Sequence, residues 1–165
     1  MVWSRLKAAF LWLSSSPSRS SATGPVIGDS IAAGESFVRF ICSRSQFAPR
    51  TGRVKPQAVD PRYNSRKGRY ETSVHRTVGL TEAQTWALGY AHVENPAEDR
   101  IVKASGIGPF DILATCSLQA DVNGAPFPRH VDIVGWSRDS KDARLMRATE
   151  IANRLRLQID PRTAR

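Results

Sequence analysis

Two histidine–arginine pairs are the residues of this chain best suited to chemistry: His75-Arg76 and Arg129-His130. Each places an imidazole, which can take or give a proton near neutral pH, beside a permanent cation able to neutralise a phosphate. Asp132 falls on the same face as His130 if that segment is extended, because strand side chains alternate. Two such pairs lining one cleft would suit phosphoester cleavage or phosphoryl transfer, where positioning and charge neutralisation carry most of the effect. His75, Arg76, Arg129 and His130 are therefore the candidate catalytic set. The competing reading makes both histidines strand-end residues satisfied by hydrogen bonds, since their spacing matches no catalytic motif.

A second candidate is a basic segment. The net charge of +9 is uneven: from Arg44 to Arg76 there are nine basic residues against Asp60 and Glu71, whereas from Thr77 onward basic and acidic residues balance. Nineteen of the basic residues are Arg and five are Lys. Guanidinium groups grip phosphate bidentately and stack on rings, and Phe47, Tyr63 and Tyr70 are interleaved with them. Arg44, Arg50, Arg53, Lys55, Arg62, Tyr63, Arg66, Lys67, Arg69 and Tyr70 are the candidate nucleic-acid contacts, acting on phosphates without sequence preference. No RNA-recognition signature, zinc finger or recognition helix accompanies them. A flexible surface loop with no dedicated ligand, or an acidic protein partner, fits the same composition.

Other features are weaker. Gly106-Ile107-Gly108-Pro109 is too short for a phosphate loop and reads as a turn. Gly135-Trp136-Ser137-Arg138 enters a helix, where Asp139 and Asp142 read as ordinary N-terminal charges. Trp86 and Trp136 read as core residues. Cys42 and Cys116 are far apart in apolar contexts and read as buried free thiols. No metal site is expected from three His and two Cys without ligand spacing, and no cofactor is expected.

The elements that must position these residues follow from pattern. Ser36–Ser43 and Thr72–Val78 are rich in aromatic and β-branched residues and read as strands; His130–Trp136 alternates and reads as the clearest strand. Thr81 and Gln84 have capping-box spacing, which starts a helix. Lys141–Leu157 reads as a helix with Leu145, Thr149, Ala152, Leu155 and Ile159 along one face. Pro49, Gly52, Pro56, Pro61 and Gly68 make Gln46–Arg69 a long loop, with room for a short strand near Val54. The sum is an α+β fold: one small domain with a short mixed or antiparallel sheet and two principal helices.

The predicted organisation is a flexible leader or targeting-like tail over 1–33, the domain over 34–160 with its basic loop at 44–71, and a tail over 161–165. The apolar run Ala8–Leu13 is too short to span a bilayer. A cytoplasmic location is expected, with targeting through the N-terminal segment as the alternative. The expected function is a small basic binding module, nucleic-acid-associated, that contacts phosphates through the Arg-rich loop. The alternatives are an enzyme acting on a phosphoester or nucleotide through His75 and His130, and an accessory subunit binding an acidic protein.

Overall fold

A computed structural model of the chain describes residues 30–163. The leader expected over 1–33 therefore lies almost entirely outside the described residues. Of its last residues, Ser30 accepts a hydrogen bond from Arg76 and Ile31 packs against the core, so the fold begins before residue 34.

The fold is α+β. Strands β1 (Ser36–Ile41), β2 (Phe47–Ala48), β3 (Arg53–Val54), β4 (Arg62–Asn64) and β5 (Arg69–Arg76) precede helix α1 (Glu82–His92). Strand β6 (Ala104–Pro109), helix α2 (Ile112–Thr115), β7 (Gln119–Asp121), β8 (His130–Val134), helix α3 (Lys141–Arg154) and β9 (Arg156–Ile159) follow. One antiparallel sheet runs in the order β7-β8-β5-β1-β6-β9, with β4 paired to β5. Among the described residues no helix is long and apolar enough to cross a membrane.

Alternation along β1 gives the sheet two apolar faces. Phe37 and Ile41 join Val74, Val131 and Ile133 under α2 and α3. Val38 and Phe40 join Trp86 of α1 and Val102 on the other side. Helix α1 starts as its sequence requires: Thr81 Oγ1 accepts from Gln84 N, and the Gln84 side chain accepts from Thr81 N. Trp86 and Trp136 are both buried, and the two cysteines are free thiols, Cys116 buried and Cys42 half-buried.

Three expectations need correction. The buried stripe of α3 is Ala148, Ile151 and Ala152, continued by Leu155, while Leu145 is 47% exposed. The helix ends at Arg154, and Leu157 and Ile159 belong to β9 at the sheet edge. Gly106-Ile107-Gly108-Pro109 is not a turn but part of β6, where a Cβ on Gly108 would come within 2.6 Å of Leu155 Cδ2. The basic segment is not one long loop either. It is built from three 3-10 turns, the small β2–β3 ladder and the β4–β5 hairpin, and Phe47, Val54, Ala58 and Val59 anchor it in the core. Pro49 and Pro56 open two of those turns, and Gly52 closes one with φ of 63°.

Close packing also fixes Gly89, midway along α1. A Cβ there would lie 2.5–2.9 Å from three ring atoms of Phe40. Gly89→Ala is expected to destabilise the fold by about 1–3 kcal/mol through overpacking, against the helix-propensity gain of about 1 kcal/mol. Urea unfolding checks this; a stabilised variant would show that Phe40 yields freely.

Candidate functional site

The register of β5 on β8 makes His75 and His130 direct cross-strand partners, so both project from the same face of the sheet. Their rings lie 5.8 Å apart, edge to face. Phe127, from the β7–β8 connection, stacks at 5.2 Å on His75 and at 3.9 Å on His92, which ends α1. All three histidines thus gather around one phenylalanine.

They form one end of a groove of about 730 Å³ that extends along β5. Its cations are Arg39, Arg62, Arg66 and Arg100, its aromatic rings include Tyr63 and Phe127, and its carboxylates are Asp60 and Glu71. The groove exists because β5 changes partners. Its first residues pair with β4 (Arg62↔Glu71) and its last with β1 (Val38↔His75, Phe37↔Arg76). Between these ladders, side chains make the connections. Thr72 Oγ1 donates to Val59 O at 2.8 Å, and Arg39 donates to Ser73 O at 2.7 Å and to Ala58 O at 2.8 Å.

Charge in the groove is set by burial. His75 is 5% exposed, and burial, aided by repulsion from His130 and Arg39, pushes its pKa down to about 3. His130 is lowered too, mainly by burial, although Asp132 opposes this with a carboxylate oxygen 3.5 Å from Nε2. Both imidazoles are therefore neutral at pH 7, and the Nδ1 atom of each is buried without a hydrogen-bond partner. Burial works to raise the Asp132 carboxyl. The Lys67 ammonium at 2.7 Å, the His130 ring and Asn123 outweigh it, and Asp132 ends below its usual value.

The four candidate catalytic residues are not all brought together. His75 and His130 meet. Arg76 points to the opposite face, where it forms a buried bidentate pair with Glu35 at 2.5 and 2.7 Å. Arg129 donates to the carbonyls of Arg76 and Val78. Neither arginine lines the groove.

Of the candidate nucleic-acid contacts, Arg62, Tyr63 and Arg66 line the groove. Arg44, Arg50, Arg53 and Lys55 are exposed but do not line it. Lys67 is held by Asp132 and Glu71, Arg69 by Asp121 and Glu71, and Tyr70 lies beneath the Arg144 guanidinium at 4.0 Å. The sequence reading missed Arg39, His92, Arg100 and Phe127. For Arg39 a signal was present: a charged residue at the parity of Phe37 and Ile41, on an otherwise apolar strand face. Among the described residues no group of three or more His, Cys, Asp or Glu is placed to hold a metal ion.

No protein-family model matches the chain, and comparison with curated proteins and with solved structures finds no similar protein. Function is therefore read from the groove itself.

Proposed function

We propose that the groove binds nucleic acid as a short single-stranded segment. Phosphates meet Arg62, Arg66 and Arg100, and a base meets the exposed ring of Tyr63. The observation that carries this reading is the gathering of four arginines and the exposed ring of Tyr63 in one groove, where Lys67 and Arg69 are held by carboxylates and Arg100 has only the exposed Glu98, at 4.0 Å. Base stacking on aromatic side chains combined with a basic groove is the general mode of single-strand recognition.

The test is a mobility-shift titration with single- and double-stranded DNA and RNA across a salt series. Three phosphate contacts on a single strand give a slope of log K against log salt of about −2, and Arg62→Ala/Arg66→Ala, which removes two of them, makes that slope shallower by about 1.4. Both side chains are exposed, so the double variant keeps the fold, which circular dichroism verifies. Absence of binding at micromolar protein in low salt would refute the proposal.

One observation favours a second reading, a phosphoester-processing enzyme: His75 and His130 converge in this same groove. Both are unprotonated at neutral pH and so can accept but not donate a proton, and a pKa of about 3 makes His75 the weak acceptor of the two. Incubating labelled oligonucleotide with the protein and with His130→Gln tests it; an intact substrate after prolonged exposure to the wild type removes this reading and leaves the binding one.

A further inference from the structure

Arg39 differs from the other groove cations in being fixed by main-chain carbonyls. Nε is committed to Ala58 O and Nη1 to Ser73 O, while Nη2 has no hydrogen-bond partner among the described residues. No carboxylate of the described residues forms an ion pair with it, and the larger charge influence on it is repulsion from Arg62. It is the floor of the groove, partly buried, whereas Arg62, Arg66 and Arg100 stand exposed at the rim. Of the two groove carboxylates, Glu71 is taken up by Asn64, Lys67 and Arg69, and Asp60 is exposed. A half-buried cation without a counter-ion carries a desolvation cost that an incoming anion relieves.

The shape of the site restricts that anion. An internal phosphodiester is flanked by sugars on both sides and runs along the rim arginines. A phosphate that projects from one sugar alone can reach down to the floor. Its second negative charge also matches the pairing of Arg39 with Arg62.

We infer that Arg39, with Arg62 above it, receives a phosphomonoester: the terminal phosphate of a nucleic-acid strand or that of a mononucleotide. This inference rests on the nucleic-acid reading of the groove and narrows it to strand ends.

The experiment measures fluorescence anisotropy of the full chain with one short single-stranded oligonucleotide in three forms: 5′-phosphorylated, 3′-phosphorylated and hydroxyl-ended. One phosphorylated form is expected to bind about tenfold tighter than the hydroxyl form, the size of one charge-assisted hydrogen-bonding contact. Arg39→Lys keeps the charge but loses the fork and should bring that ratio close to one. The comparison of the three strands on the wild type needs no variant, so a misfolded Arg39→Lys would leave the test intact. Competition by adenosine monophosphate, but not by adenosine, would assign the site to the phosphomonoester itself. Competition by neither, with the end preference retained, would assign it to the end of a strand. Equal affinity for all three strands overturns the inference and leaves the nucleic-acid reading standing; no binding of any strand overturns both.

Discussion

Arg76→Ala is expected to lower the free energy of unfolding by about 3–5 kcal/mol, the cost of leaving a buried partner charge uncompensated. Glu35 is 7% exposed and Arg76 3%, and two hydrogen bonds join them, one from Nε and one from Nη2. The guanidinium is the largest influence holding the Glu35 carboxyl below its usual pKa, so removing it strands a carboxylate in the interior. A domain of this size has about 5–15 kcal/mol in total, so the variant should be marginal at room temperature. Glu35→Leu/Arg76→Met should recover much of the loss, because the penalty lies in the unpaired charge more than in the missing attraction. Urea unfolding followed by the fluorescence of Trp86 and Trp136 reads both effects. A loss below about 1 kcal/mol for Arg76→Ala would contradict a structural role for the pair. The result also bears on catalysis: an inactive Arg76 variant reports a damaged fold, not a missing catalytic group.

Between pH 6.5 and 4.5 the wild type should lose about 2 kcal/mol of stability through the imidazole of His75, which is buried in neutral form. The folded pKa of His75, about 3, lies below its unfolded value of 6.5. Across that interval the unfolded chain holds a proton that the folded chain refuses, so stability is fully present above pH 6.5 and declines as pH falls toward 3. The charged and titratable groups that bear on His75 are His130 from β8, Arg39 from β1 and His92 from α1, and all three oppose its protonation, while the Val38 backbone favours it by less than burial costs. His130, itself lowered, adds a loss of the same sign. Glu35, Asp132 and Asp160 are also depressed, but their contributions vanish only below ordinary carboxylate values of 4.5 and 3.8. The window above pH 4.5 therefore isolates the imidazoles. His75→Phe, packed among Phe40 and Phe127, should flatten the profile to the part that His130 supplies. A flat wild-type profile over this window would mean that His75 is hydrated in solution.

Local signals in the sequence located several elements well. The Thr81–Gln84 box and the alternating run from His130 are satisfied by neighbouring residues, so a window of a few positions contains the cause. Strand β6 was hidden because Gly106 and Gly108 look like breakers, and the reason they are glycines is Leu155, nearly fifty positions away. Helix α3 was read one step around its axis because Leu145 outweighs Ala148 in hydrophobicity. Close approach to the sheet favours the small residue. The chemistry of His75 and His130 was legible from their types, but their adjacency depends on strand register, which no spacing of 55 residues encodes. Charge counting identified Arg62 and Arg66. It could not separate them from Lys67 and Arg69, whose carboxylate partners Asp121 and Asp132 arrive from a later hairpin.

The side-chain links between the two ladders of β5 have a mechanical consequence. Where β4 has ended and β1 has not yet begun to pair, Arg39 serves as a rung of the sheet, and the same guanidinium forms the floor of the groove. On the binding proposed for the groove, scaffold and receptor share one side chain. Occupancy of the groove and cohesion of the sheet are thereby thermodynamically linked: a ligand that engages Arg39 tightens the seam beneath it, and a loosened seam weakens the hold on the ligand.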